Sequence, residues 1–157
     1  MTDNPVEIER RFLVAELPSL DGVDSKKIRQ GYVTVPSDSV QVRLRQKGKK
    51  FFITVKGKGK MMRSERESEI DAATFDRLWP ATGDRCIAKT RWTGLLEDGR
   101  TFELDLFDDR DLRLVEVEFQ SVEEAEAFVP PAWFGEDVTG NPSYSNNVLA
   151  SGGVGVA

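Results

Sequence analysis

Val6-Glu7-Ile8-Glu9-Arg10-Arg11-Phe12-Leu13-Val14 puts charge at positions 7, 9 and 11 and apolar side chains at 6, 8 and 12. Successive side chains on a strand point to opposite faces, so this stretch reads as a strand with one charged face backed by an apolar one. The same alternation recurs at Val42-Arg43-Leu44-Arg45, Val55-Lys56, Arg63-Ser64-Glu65-Arg66-Glu67, Lys89-Thr90-Arg91, Phe102-Glu103-Leu104-Asp105-Leu106 and Val115-Glu116-Val117-Glu118-Phe119. One such strand is ordinary, with charges out and apolar residues in. A whole series, grouped by sign within segments, predicts charged faces that converge on a polar interior able to take a highly charged ligand.

The alternation predicts strands at about 6–14, 28–35, 40–47, 50–57, 63–71, 87–94, 101–107 and 113–120. Turn residues separate them: Pro36-Ser37-Asp38-Ser39, Gly48-Lys49, Gly57-Lys58-Gly59-Lys60, Glu97-Asp98-Gly99-Arg100 and Asp108-Asp109-Arg110-Asp111. Short loops favour antiparallel neighbours. A helix is expected over about 72–80, capped by Asp71, with Phe75, Leu78 and Trp79 on one face and Pro80 ending it. A second is expected over about 122–129, where Ser121 and Glu124 match a capping box and Pro130-Pro131 stops the chain. A short helix is expected near Asn146–Ala150, and residues 151–157 read as a flexible tail.

About eight antiparallel strands suit a closed barrel, which leaves no edge unpaired. The expected fold class is therefore mainly β (α+β): an eight-stranded antiparallel barrel with a charged lumen and peripheral helices over the apolar outer face. The 157 residues fit one domain. An outer-membrane barrel shares the polar-in, apolar-out alternation. The absence of a signal peptide, the intervening helices and Arg10 and Arg66 on outward faces weigh against it. A one-sided sheet with its charged face in water is the plain alternative.

Composition narrows the chemistry. The chain has no histidine and one cysteine, Cys86. This removes disulfides, the usual zinc sites and every His-based acid–base scheme, and Cys86 reads as a small core residue. Any metal must sit among oxygen ligands, which favours Mg²⁺, Mn²⁺ or Ca²⁺. The net charge of −5 argues against general nucleic-acid binding. No apolar stretch approaches the roughly 20 residues of a membrane helix. The reading is a cytoplasmic protein with neither membrane nor nucleic-acid partner.

Four acid pairs at i, i+2 spacing, Glu7/Glu9, Glu65/Glu67, Glu103/Asp105 and Glu116/Glu118, each put two carboxylates on one strand face. Paired carboxylates repel unless a cation neutralises them, so metal binding stands beside the plainer reading of a solvated edge. Arg11, Arg43, Arg45, Lys56, Arg63, Lys89 and Arg91 lie on the same faces and suit phosphate oxygens. Acids and bases nearly cancel. Two divalent ions would leave a net positive lining suited to a compact polyanion such as a triphosphate. Trp79, Trp92 and Trp133 read as packing residues.

These segments together resemble the CYTH family of triphosphate tunnel metalloenzymes. Val6–Val14 is similar to its ExExK signature, and Arg29-Gln30-Gly31-Tyr32, Val42–Arg45, Thr54-Val55-Lys56, Arg63-x-Glu65-x-Glu67, Lys89-Thr90-Arg91, Phe102–Asp105 and Leu114–Phe119 follow in order over about residues 6–150. The resemblance is nearest to short bacterial members that hydrolyse inorganic tripolyphosphate. It implies an eight-stranded tunnel and metal-dependent hydrolysis of tripolyphosphate to pyrophosphate and phosphate. Glu7, Glu9, Asp105, Glu116 and Glu118 are implied as ligands of Mg²⁺ or Mn²⁺. Arg11, Arg43, Arg45, Lys56, Arg63, Lys89 and Arg91 are implied as phosphate clamps. The implied catalytic groups are Arg11, Lys89, Glu65 and Glu67, with Glu65, Glu67 and Asp105 holding a second ion or positioning water. The protein is expected as a monomer or homodimer. Thiamine triphosphatase, class IV-type adenylate cyclase and a non-catalytic polyphosphate- or nucleotide-binding module are the alternatives. Two departures stand out: Arg11 replaces the signature lysine, and Tyr144-Ser145-Asn146-Asn147 lacks the lysines that relatives carry there.

Overall fold

The computed structural model describes residues 8–57, 65–144 and 146–150. The expected site residues Glu7 and Arg63 lie outside them, as do the first two residues of each of the expected strands 6–14 and 63–71 and the expected tail. The described residues form β1 (Ile8–Val14), β2 (Asp24–Tyr32), β3 (Val40–Lys47), β4 (Lys50–Gly57), β5 (Glu65–Ile70), α1 (Ala72–Leu78), β6 (Cys86–Leu95), β7 (Thr101–Phe107), β8 (Arg113–Phe119), α2 (Val122–Ala127), β9 (Phe134–Asp137) and α3 (Asn146–Ala150). Antiparallel β-structure with a few helices is what the alternation predicts. Two compact units divide the chain, residues 1–25, 91–106 and 112–141 in one, and 26–90, 107–111 and 142–157 in the other. Strand β6 contributes its second half to the first unit and its first half to the second.

In the first unit β7 pairs with β8, β8 with β1, and β1 with β9, all antiparallel. The register sets Arg11 across from Glu116, Glu9 across from Glu118, and Glu103 across from Glu116. Residues paired in this way share a face. The opposite face carries Ile8, Phe12, Phe102, Leu104, Val115, Val117 and Phe119. Phe12, Leu104, Val115 and Val117 are at most 1% exposed. Helix α2 covers this face through Phe128, whose ring lies 5.1 Å from Phe119. A Cβ at Gly94 would stand 2.7 Å from the Phe102 ring, so β6 can pass there only as glycine.

Arg10 falls on the apolar face, yet it does not break the packing. Its guanidinium lies 4.9 Å from the Phe12 ring centre and donates to the carbonyls of Ala125 and Phe128 and to Asp137. It thus satisfies orphan carbonyls at the end of α2. Ser121 caps α2 as expected, accepting from the Glu124 amide at 3.1 Å, and Glu124 accepts from the Gln120 amide. The helix ends at Ala127, because Phe128 turns extended.

In the second unit β5 pairs with β4, β4 with β3, and β3 with β2. Gly48, with φ +61°, makes the tight β3–β4 turn. Tyr32, Arg43, Thr54 and Glu67 are successive partners across these strands, and Gln41, Lys56 and Glu65 form a parallel row. Helix α1 covers the other face. Its buried Phe75 packs 5.0 Å from Phe51 and 5.1 Å from Trp79. Asp71 caps α1 by accepting from the Thr74 amide, and hydrogen bonding from the Thr74 side chain, then from that amide, lowers its pKa. The α-helix ends at Leu78, ahead of Pro80, which lies in a following 3-10 turn, Trp79–Thr82.

Two expectations need correction. Nine strands are described, and the ninth, β9, lies in a segment read as having none. It takes the outer edge of β1 with Val14 across from Phe134. The expected strand at 28–35 instead runs from Asp24 to Tyr32.

Candidate active site

The first unit gathers acids. Four carboxylates, Glu9, Glu103, Glu116 and Glu118, line a cavity of about 240 Å³ with the hydroxyl-bearing Thr93 and Thr101. Glu9 and Glu118 face each other across β1 and β8, and Glu103 and Glu116 across β7 and β8. Like charges directly opposite destabilise a strand pair. Arg11 relieves part of this by an ion pair of 2.5 Å with Glu116. Arg91 relieves more. Its Nε and Nη2 donate to the two Asp105 oxygens at 2.8 and 3.0 Å, and its Nη1 reaches Glu103 Oε2 at 3.1 Å. Burial acts against the charged guanidinium. The Asp105 hydrogen bonds, with Glu103 and Glu116, outweigh it and push the Arg91 pKa up.

The cavity offers only oxygen donors, the set that hard divalent ions take. Its carboxylates surround the space more than they meet at a point. Among the described residues no three acidic groups stand close enough to hold one ion. Asp105, expected as a ligand, is 4% exposed beneath Arg91. Glu103, absent from the expected metal set, lines the cavity. The Glu103/Asp105 pair was visible in the sequence, but alternation gives both the same face. What separates them is the Arg91 fork, which pattern does not reveal.

The second unit gathers bases. Arg43 lies opposite Tyr32 and Thr54, its side chain 12% exposed, and its Nε is buried with no hydrogen-bond partner among the described residues. Its Nη2 lies 3.5 Å from Glu67, to which Thr54 also donates at 2.8 Å. Lys56 lies 4.0 Å from Glu65. Arg45 is half-buried on the same face, opposite Gln30 and Phe52. Lys89 is 3% exposed, with its ammonium 5.4 Å from the Phe107 ring centre. The Tyr32 hydroxyl accepts from Gln30 at 2.9 Å. Tyr32 entered the sequence reading only as part of a motif, and its register sets it opposite Arg43. Where lysines are missing near the C-terminus, α3 is held by Arg110, which donates to the Leu149 carbonyl at 2.6 Å. Burial, then Asp109, raises the Cys86 thiol pKa, which fits a structural cysteine.

A family model described as the CYTH domain matches residues 5–137. An inorganic triphosphatase of Nitrosomonas europaea is 51% identical over 147 residues, covering 92% of this chain and 96% of that protein. An inorganic triphosphatase of Acetivibrio thermocellus is 32% identical over 145 residues, covering 91% and 92%. The crystal structure of the inorganic triphosphatase NE1496 superposes with a TM-score of 0.87 at 47% identity, over 95% of this chain and 97% of that one.

Proposed function

The chain belongs to the CYTH family, and on that premise we propose that it is an inorganic triphosphatase that hydrolyses tripolyphosphate to pyrophosphate and phosphate with Mg²⁺ or Mn²⁺. The observation that carries this reading is the pair of like-charged cross-strand contacts, Glu9 with Glu118 and Glu103 with Glu116, around an oxygen-lined cavity. Such an arrangement is unfavourable by itself and favourable around a cation.

Glu9, Glu116 and Glu118 serve as metal-holding residues, with Glu7 expected to join them. The ion, when bound, neutralises charge on the phosphoryl oxygens and polarises them as a Lewis acid. Arg43, Arg45, Lys56 and Lys89 bind phosphate oxygens, with Arg63 expected to join them. The buried Arg43 Nε needs an acceptor that the described residues do not provide, and a phosphate oxygen is one. Glu67, which Thr54 and Arg43 hold, is our candidate to orient an attacking water, and Glu65 is the second. Arg11 tethers Glu116 and neutralises charge that develops on the substrate. We place the enzyme in the cytoplasm, where its one half-buried cysteine stays reduced. Residues 1–157 act as one CYTH-type catalytic unit, as a monomer or homodimer. No helix among the described residues is long and apolar enough to cross a membrane.

Phosphate release from tripolyphosphate in Mg²⁺ and Mn²⁺ tests the reading. Glu9→Gln and Glu116→Gln should each lose more than the roughly 10–100-fold that loss of even an outer-shell partner costs. Wild-type activity in both variants would remove the metal site.

A further inference from the structure

Alternation puts Glu103, Asp105 and Phe107 on one face of β7, so a large apolar ring stands where the pattern calls for a third charge. On the neighbouring strand β6, Lys89 shares its face with Arg91. The Asp108 amide donates to the Ala88 carbonyl at 2.8 Å, which brings Phe107 beside Lys89. The Lys89 ammonium lies 5.4 Å from the centre of the Phe107 ring, inside the range of about 6 Å for a cation–π contact. Lys89 is 3% exposed and Phe107 8%. Lysine is almost never buried so deeply without an electrostatic partner. The ring is itself held. The Arg110 guanidinium lies 5.9 Å from its centre, and Arg110 pairs with Asp109 and donates to the carbonyls of Cys86 and Leu149.

We propose that Phe107 is a positioning residue: its ring face holds the buried Lys89 ammonium in the place from which it meets a phosphate oxygen of the substrate. The proposal rests on the phosphate-binding reading of Lys89 above. An aromatic face attracts a cation but carries no net charge. It therefore fixes the ammonium and leaves its positive charge to act on an anion. A carboxylate in the same place would fix the ammonium and cancel it. The flexible four-carbon stem of lysine has many rotamers, and ordering such a side chain on binding weakens affinity. The Phe107 contact orders it during folding, before the substrate arrives.

Ring and substrate both attract the ammonium, so the sign of the effect decides. A ring that positions Lys89 strengthens substrate binding, and a ring that competes for Lys89 weakens it. Tripolyphosphate affinity is measured by calorimetry in EDTA for wild type, Lys89→Met, Phe107→Leu and the double variant. It is also measured for proteins that carry phenylalanine with one, two or three ring fluorines in place of Phe107. Fluorine drains the negative ring face and nearly keeps its shape. Phe107→Leu should bind roughly 2–12-fold more weakly than wild type, and affinity should fall stepwise along the fluorine series. In the Lys89→Met background Phe107→Leu should have no further effect, because the two residues act as one unit. Affinity that is constant or rises along the fluorine series would overturn the proposal. So would an equal loss from Phe107→Leu with and without Lys89, which is the mark of a general packing defect. Circular dichroism checks folding, and if Phe107→Leu is unfolded the fluorine series decides. A wild type that binds no tripolyphosphate, or a Lys89→Met variant that binds as tightly as wild type, refutes the phosphate-binding reading and the proposal with it. Those results are distinct from a Lys89→Met variant that loses affinity while the ring variants keep it, which refutes the proposal alone.

Discussion

Glu9 and Glu118 stand directly across two strands with both carboxylates exposed, a like-charged pairing that is unfavourable by itself and, on the proposed reading, favourable around a bound cation. Its expected consequence is a crossing of stabilities. In EDTA, Glu118→Gln should melt slightly higher than wild type, because one like-charged pair disappears, a gain of about 0.2–0.5 kcal/mol. With saturating Mn²⁺ the order should reverse, since ligand stabilisation grows with affinity for the folded state. Thermal melts of both proteins with and without Mn²⁺ check this, and parallel shifts would contradict it. At this scale the sequence was most informative about which residue types matter and least about their pairing. Alternation put Glu103 and Asp105 on one face, and only Arg91 distinguishes the cavity-lining carboxylate from the buried one.

At the scale of elements, β9 is the addition that pattern did not reveal. Four residues, Phe134–Asp137, are too few for alternation to register. The strand is held by tertiary contacts: Arg10 with Asp137 at 2.7 Å, Thr139 with Asp137 at 2.9 Å through its amide, and the Val138 amide on the Arg11 carbonyl. Partial burial works against the Asp137 carboxylate, but its bonds to Thr139 and Arg10 prevail and lower its pKa. A depressed folded-state pKa means that the contribution is complete above the unfolded value near 3.8 and disappears as pH falls through the lower folded value. Asp137→Asn should therefore be less stable than wild type at neutral pH, modestly because the pair is partly exposed. The difference should close below about pH 3.8. Denaturant melts across that range check the sign. Elsewhere the elements were legible. Expected boundaries for β3, β4 and β7 match, because Gly48 and Gly99 punctuate alternating runs. Both capped helices begin where Asp71 and Ser121 predict.

At the scale of the whole molecule, the carboxylates that line the cavity belong to the first unit, and Arg43, Arg45, Lys56 and Lys89 to the second. The second set should bind the polyanion without metal. Tripolyphosphate in EDTA should raise the melting temperature, by an amount that falls as salt is increased. Differential scanning calorimetry at two ionic strengths measures it, and a salt-independent shift would point away from charge recognition. Family membership rests on the same long-range order of charged strands, matched over residues 5–137.

The sequence by itself determined that this is an antiparallel β protein with charged strand faces and two capped helices, because side-chain alternation and turn chemistry are local properties of the chain. It also confined any metal to oxygen ligands, since no histidine is present. Only the tertiary structure decided that β9 takes the free edge of β1, that Arg10 closes the end of α2, and that Arg91 holds Asp105 and Glu103. Those are contacts between residues far apart in the chain or across a strand pair, and their register depends on the packing of the whole.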